Sequence, residues 1–196
     1  MKKITLAAAM FAMTATAFAQ NWNLDGAHSK IRFTTKYLLI SDVDGEFQKF
    51  DVKATSAKAD WSDLNATVVV DVNSISTDNE KRDGHLKSDD FFAADKFPTI
   101  TFKSSGIKNL GDKKYSITGD LTVRDVTKKV TLPLIYGGTV KDPYGNTKAG
   151  FKATGSINRK EYGLKWSNSA ATGEAVVSDN VDFTIDLTLI KEEAKK

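Results

Sequence analysis

Alternation of apolar and polar residues is the dominant pattern from Gln20 to the C-terminal end of the chain. Successive side chains of a β-strand point to opposite faces, so a repeat of two predicts strands with one apolar and one polar face. The alternation is clearest in 31–37, 115–123, 151–157 and 181–189. Apolar runs bounded by turn residues predict further strands at 43–53, 65–73, 98–106 and 129–140. We therefore expect about eight strands.

Short turns between these strands indicate that the sheet is antiparallel. Turn signals occur at 112–113, 137–138 and 142–146, and strands that are polar on one side are typical of an antiparallel sheet with one solvated face. The apolar face must be covered, either by a second layer in a sandwich or by closure into a barrel, which also removes exposed edges. Periodicity alone does not distinguish these two folds.

Small residues interrupt the apolar face of the predicted strands. Gly119, Ala153 and Gly155 lie among large apolar residues. They either leave space inside a hollow barrel or allow the sheet to curve and taper. An eight-stranded barrel is just wide enough to be filled by side chains or to hold one small ligand, so the sequence leaves both interpretations open.

Residues 78–92 break the alternation and predict a short helical connection. Thr77 or Asp78 is the expected N-cap, because either side chain can accept hydrogen bonds from the first free backbone amides. Gly84 and Pro98 limit the length of the helix. Since the segment joins two predicted strands, we expect it to cap one end of a barrel.

The N-terminal residues resemble a secretory signal. Lys2 and Lys3 precede an apolar run at 4–18 and an Ala-Phe-Ala ending. The run is about 15 residues long, shorter than the roughly 20 that span a bilayer. We therefore expect a signal peptide at 1–19, a single exported domain at 20–196 and no permanent membrane anchor.

Composition narrows the classes of partner. The chain has no cysteine, so its stability outside the cytoplasm is expected to come from an apolar core and a hydrogen-bonded sheet. Its 28 basic and 25 acidic residues are intermixed without a basic block, so no nucleic-acid partner is expected. With His28 and His85 as the only histidines, the sequence predicts no metal site.

Catalysis is not expected either. Asp25, His28 and Ser29 are residue types of a hydrolytic triad, but neighbouring residues of a strand point to opposite faces. The Gly-x-Ser-x-Gly elbow of many hydrolases is missing from the sequence. We predict a protein that is not an enzyme and has no catalytic cofactor.

A series of ordered motifs runs through residues 22–166. They are Trp22-x-Leu24-Asp25-x-x-His28-Ser29-x-Ile31-x-Phe33, Gly45-x-Phe47, Ser74-Ile75-x-Thr77, Arg82-Asp83-x-His85-Leu86-x-Ser88-x-Asp90-Phe91-Phe92, Phe97-Pro98-x-Ile100-x-Phe102, Gly119-Asp120-Leu121-Thr122-Val123-Arg124-x-Val126-Thr127 and Arg159-x-x-Tyr162-Gly163-Leu164-x-Trp166. At these separations they resemble the YceI family over essentially the whole predicted domain. Gly84, Ala93 and Tyr162 depart from the family pattern, which affects the expected choice of ligand more than binding itself.

The resemblance implies an all-β, eight-stranded antiparallel lipocalin-like barrel with an apolar tunnel. It also implies a periplasmic or secreted protein that binds a polyisoprenoid or another long-chain amphiphilic lipid. Burial of a hydrocarbon chain contributes roughly 0.8 kcal/mol per CH₂, so such binding needs few directional contacts. We expect non-catalytic binding, transport or sequestration of the lipid. The alternatives are a structural or interaction domain with a solid core and a lipid-modifying enzyme that uses the same cavity. The sequence leaves the oligomeric state open, a homodimer included.

Candidate ligand-contacting residues follow from the apolar face of the strands and from the aromatic residues near their ends. The candidate tunnel residues are Ile31, Phe33, Ile100, Phe102, Leu121, Val123, Leu132, Leu134, Phe151, Ile157, Trp166, Phe183, Ile185 and Leu187. The candidate rim or head-group residues are His28, Arg82, Asp83, His85, Phe91 and Phe92. Two roles stay open for the polar ones: they contact a polar head group, or they hold the local turn, with Arg82 paired to Asp83 or to another nearby carboxylate.

Overall fold

A computed structural model describes residues 19–169 and 175–193. Apart from Ala19, the predicted signal peptide lies outside the described residues. Within these ranges the chain forms eleven strands and one α-helix. The strands are β1 Gln20–Leu24, β2 Lys30–Tyr37, β3 Ser41–Phe47, β4 Phe50–Ser56, β5 Asn65–Asp71, β6 Ile75–Ser76, β7 Thr99–Gly111, β8 Lys114–Val123, β9 Val126–Lys141, β10 Thr147–Asn158 and β11 Val177–Lys191, and the helix α1 is Glu80–Lys87.

Eight of the strands close into an antiparallel barrel. They follow the order β1-β4-β5-β7-β8-β9-β10-β11, and β1 pairs with β11 to close the ring. The first part of β11 also pairs with β2, which continues through β3 to β6. The predicted all-β, eight-stranded antiparallel barrel is therefore confirmed, and closure distinguishes it from a sandwich.

The structure differs from the sequence prediction where the chain bends. The predicted strand 43–53 is two strands, because the backbone turns at Gln48 and Lys49, whose amides donate to the backbone oxygen and the hydroxyl of Ser74 at 3.1 and 2.9 Å. Strands β1 and β6 were not predicted, since they are short and carry little alternation.

The helix is shorter than the predicted segment and has a different cap. Asn79 is the N-cap, and its side chain accepts from the Arg82 amide at 3.0 Å. The prediction of Thr77 or Asp78 was wrong. Thr77 is bound by the side chain of Asp83, and Asp78 adopts a left-handed backbone with φ of 58°. In the described residues, no helix is long and apolar enough to cross a membrane.

The two ends of the barrel differ in how they are covered. At one end, named here the Trp61 end, Trp61 from the β4–β5 loop packs on Trp22 and Phe151 with ring centroids 4.8 and 4.9 Å away. The Tyr115 hydroxyl donates to the Asp60 backbone oxygen and fixes the same loop. The opposite end, named here the helix end, carries α1, the β2–β3 turn, the β8–β9 turn and the connection from β10 to β11.

Three glycines of the sheet are covered by phenylalanine rings. An added Cβ at Gly45 would lie 2.3 Å from Phe33, and one at Gly155 would lie 2.4 Å from Phe183. Each of these glycines is the cross-strand partner of that phenylalanine. The Phe102 ring also covers Gly119, which lies two residues from Leu121, the cross-strand partner of Phe102. The glycines thus let the rings lie along the wall, which keeps aromatic surface inside the barrel without filling its centre.

Candidate functional site

An apolar cavity of about 230 Å³ lies inside the barrel. Its wall extends from Leu64 and Leu189 near the Trp61 end to Leu86 and Val177 near the helix end. Small-molecule cavities in proteins commonly measure about 300–1,000 Å³, and a dry cavity of about 150 Å³ takes up benzene. The observed space is therefore suited to a segment of hydrocarbon rather than to a polar molecule.

The predicted tunnel residues line this cavity, with one exception. The lining ones are Ile31, Phe33, Ile100, Phe102, Leu121, Val123, Leu132, Leu134, Phe151, Ile157, Phe183, Ile185 and Leu187. Trp166 is outside the lining set and packs on His85 and Phe91 with ring centroids 5.3 and 5.4 Å away. Contact of these residues with a ligand stays a prediction.

Further lining residues were not among the sequence candidates. They include Phe47, Val52, Ala54, Leu64, Ala66, Val68, Val70, Leu86, Ile117, Val130, Ala153, Leu164, Val177, Val181 and Leu189. Most occupy alternate positions of the predicted strands, so the period-two pattern itself is the signal that marks them. Leu64, Leu86 and Leu164 lie outside the strands, and no periodic signal marks them.

Phe91 and Phe92 both line the cavity at the helix end. Phe91 is buried and belongs to a second apolar cluster with Val123, Tyr162 and Leu164. Phe92 packs edge-on against Phe47 with ring centroids 6.0 Å apart. These contacts place both rings in the cavity wall near the helix end, and their contact with a ligand stays a prediction.

The polar residues of α1 hold the local turn in this structure. The Arg82 guanidinium donates to the hydroxyl and backbone oxygen of Thr77, each at 2.7 Å. Asp83 accepts from the Thr77 amide at 2.9 Å and from its hydroxyl at 2.5 Å. His85 Nε2 lies 2.9 Å from Asp90. Arg82 and Asp83 therefore act through Thr77 rather than through a pair with each other.

Arg159 is a buried cation at the helix end that was not among the candidates predicted from the sequence. Its side chain is 5% exposed. The guanidinium donates to the backbone oxygens of Leu164, Trp166 and Ser178 at 2.7, 2.8 and 2.9 Å, and to that of Val177 at 3.3 Å. Burial lowers the pKa of Arg159 from its ordinary value, but an arginine stays charged in proteins. It fixes both ends of the β10–β11 connection beside the cavity.

His28 lies far from α1, on the outer side of the barrel toward the Trp61 end. Its Nδ1 is 2.8 Å from Asp25 Oδ2, and Lys148 donates to the same oxygen at 2.8 Å. The Ser29 hydroxyl donates to the Asp25 backbone oxygen and accepts from the Thr188 amide. Asp25 thus contacts both His28 and Ser29. The Ser29 hydroxyl, however, is hydrogen-bonded to backbone groups and not to the His28 imidazole.

The lowered pKa of Asp25 predicts that the stability of the fold depends on pH. Burial opposes its ionisation, but hydrogen bonds from Lys148 and His28 outweigh burial and hold the pKa of Asp25 below its ordinary value. The unfolded-state pKa is about 3.9. A lowered folded-state pKa means that the carboxylate stabilises the fold above about pH 4 and loses this effect as the pH falls through the folded value.

Replacement of Asp25 by Asn is therefore expected to lower the free energy of unfolding by about 2 kcal/mol at pH 7. Urea unfolding at pH 7 and pH 3 measures the difference, which should shrink at the lower pH. Asp42→Asn is the matched control, because its partner Lys36 is exposed and exposed pairs contribute about 1 kcal/mol or less. An Asp25→Asn loss that is equal at both pH values would contradict the assignment.

Residues 19–169 and 175–193 contain no group of three or more His, Asp or Glu side chains placed to hold a metal ion. The predicted lack of a metal site and of a catalytic cofactor stays a prediction.

Comparison with known proteins agrees with this architecture. The YceI-like domain family matches residues 22–189. A UPF0312 protein of Staphylococcus aureus (strain USA300) is 39% identical over 164 residues, covering 83% of this chain and 93% of the relative.

Solved structures are similar over nearly their full length. BcnA of Burkholderia cenocepacia superposes with a TM-score of 0.74 at 25% identity, covering 84% of this chain and 98% of BcnA. A YceI protein of Campylobacter jejuni gives a TM-score of 0.69 at 29% identity, covering 98% and 100%. A polyisoprenoid-binding domain from Saccharophagus degradans has the same fold, with a TM-score of 0.64 at 15% identity over 87% and 98% of the two chains. With the family matched across all the strands of the barrel, the chain belongs to the YceI-like family.

Proposed function

We propose that this protein binds the hydrocarbon chain of a polyisoprenoid or a similar long-chain lipid inside its barrel, without chemistry of its own. The carrying observation is the apolar cavity of about 230 Å³ that extends between the two ends. Each CH₂ transferred from water to such a space contributes roughly 0.8 kcal/mol. An empty space of this size does not fit the alternative of a structural or interaction domain with a solid core.

The ligand enters with its tail toward the Trp61 end and its polar group toward the helix end. The aromatic stack of Trp22, Trp61 and Phe151 closes the first of these ends. The polar residues among those that line the cavity include Thr35 and Arg159, both near the helix end. A polar group located there avoids the desolvation cost of a position deeper in the barrel.

Two further features support the proposal. The structural relative from Saccharophagus degradans is described as a polyisoprenoid-binding domain, which makes isoprenoids the first ligands to test. An exported location fits the signal-like residues 1–19. Transport or sequestration in the periplasm is accordingly part of the proposal.

The decisive measurement is lipid identification in protein purified from its own host. Native mass spectrometry is expected to show a population with added mass, and extraction with organic solvent should release an intact long-chain lipid from it. Delipidated protein should gain the mass of one polyprenol molecule when a long-chain polyprenol is supplied.

Absence of lipid after purification, together with no uptake of added polyprenol or fatty acid, would reject the binding function. Release of a chemically altered lipid would favour the enzyme alternative instead. In that case His28→Ala and His85→Ala variants would show whether either histidine takes part in the turnover.

A further inference from the structure

The β2–β3 turn presents large apolar side chains to solvent. Leu39 is 56% exposed and Ile40 is 83% exposed, while Tyr37 at the base of the turn is 42% exposed. Adjacent aliphatic residues at a projecting tip are unfavourable in water, because apolar surface gains from leaving it. Neither side chain belongs to the apolar clusters that form the core of the described residues.

The backbone conformation of the same turn is also unfavourable for leucine. The Ile40 amide donates to the Tyr37 backbone oxygen at 3.1 Å, which makes Leu38 and Leu39 the central residues of a tight turn. Both adopt left-handed conformations, with φ of 50° and 61°. Turn positions with a left-handed backbone favour Asn and Gly. Leucine at both central positions therefore costs stability, which indicates a role for the side chains.

The turn is continuous with the cavity wall. Tyr37 pairs with Val177 across β2 and β11, and the Leu38 amide donates to the Val176 backbone oxygen at 2.9 Å. Val177 lines the cavity, as does Thr35, two residues before the turn's base. A hydrocarbon chain that leaves the barrel at the helix end thus passes beside the exposed apolar tip.

We propose that the β2–β3 turn docks on the surface of a lipid bilayer, with Leu39 and Ile40 inserted among the acyl chains while the lipid passes between bilayer and cavity. This inference rests on the proposed function. A bilayer is the occupant that the chemistry favours, because a ligand suited to this cavity is stored in a membrane and the tip lies beside the path into the cavity.

The charges beside the tip indicate whether docking needs anionic lipid. Lys36 and Asp42 flank the turn and form an ion pair at 2.6 Å, so they add no net charge beside Leu39 and Ile40. Docking is therefore driven by apolar insertion and does not require anionic lipid. Exposed apolar residues also occur at the opposite end, with Tyr144 90% exposed, but the Trp61 stack closes the barrel there.

The first test measures extraction of tritiated solanesol, a long-chain polyprenol, from phosphatidylcholine vesicles. A variant with both Leu39→Ser and Ile40→Ser is expected to extract it about tenfold more slowly, which corresponds to about 1.4 kcal/mol. Its final uptake of solanesol delivered from cyclodextrin should equal that of the wild-type protein. Tyr144→Ser is the matched control and should extract at the wild-type rate.

The results separate this inference from the binding function. If the wild-type protein takes up neither solanesol nor a fatty acid from either source, the binding function fails. If the double variant extracts as fast as the wild type, or if Tyr144→Ser is slowed equally, docking by this turn is wrong while binding stands.

A second test does not depend on the ligand. In Ile40→Trp, vesicles of brominated phosphatidylcholine are expected to quench fluorescence more than they do in Tyr144→Trp, which has the same three native tryptophans. Equal quenching in the two variants would overturn the proposal. So would sedimentation showing that the wild-type protein forms a dimer that the Leu39→Ser, Ile40→Ser variant cannot form, because a second copy would then cover the tip.

Discussion

Replacement of Ala153 by Phe is expected to abolish lipid uptake while the barrel still forms. Ala153 lies on β10, lines the cavity and is paired with Ile185 and Leu134 on the adjacent strands. A phenyl ring there enters a space of only about 230 Å³. Displacing two methylene groups of the ligand costs about 1.6 kcal/mol, which already weakens binding more than tenfold.

Native mass spectrometry after addition of polyprenol measures this loss. Lys152→Phe is the matched control, because the neighbouring position of the same strand points outward and is exposed. Overpacking of the interior costs about 1–3 kcal/mol, so circular dichroism must show that the Ala153→Phe sheet is intact. Full polyprenol uptake by the folded Ala153→Phe protein would show that the ligand does not occupy this cavity.

The second large effect is on stability and concerns Arg159. Its guanidinium satisfies four backbone oxygens in a buried position. Arg159→Met leaves those oxygens without their charged donor, and the expected loss is roughly 3–5 kcal/mol of the free energy of unfolding. Typical domains have about 5–15 kcal/mol in total, so the variant should unfold at a much lower urea concentration.

Lys160→Met controls for the loss of a positive charge at the neighbouring position. Lys160 pairs with Asp179 at the surface, and its removal should change stability by about 0.5 kcal/mol or less. Arg159→Lys is expected to lie between these variants, because an ammonium cannot reach all four oxygens in the planar geometry of a guanidinium. A loss below about 1 kcal/mol for Arg159→Met would contradict the role assigned to Arg159.

The strands could be predicted from alternation because each strand displays its two faces directly in its own sequence. Their closure into a barrel could not. It depends on β1, where Trp22 and Leu24 are the apolar residues of a five-residue strand, and on pairing of that strand with residues 189–191. Such pairing consists of backbone hydrogen bonds between distant segments, and it leaves no periodic trace in either one.

The same limit applies to the glycines and to the polar residues of the helix end. The sequence marks Gly155 as small but does not show that Phe183 is its partner on the adjacent strand. Arg82 and Asp83 suggest a mutual pair, but both bind Thr77. The main partners of Arg159 are backbone oxygens. Because every residue type has a backbone oxygen, no pattern of residue types predicts these hydrogen bonds.

The pairing of β1 with β11 also determines when the barrel can be completed. Trp22 meets Lys191 across this seam, so the first and last strands of the described domain are neighbours. Contacts of such large sequence separation form slowly because a long loop must be closed before they add stability. A chain that emerges N-terminus first, from the ribosome or across a membrane, therefore cannot finish its ring until the last strand has emerged, and until then the apolar inner faces of the earlier strands remain accessible to chaperones.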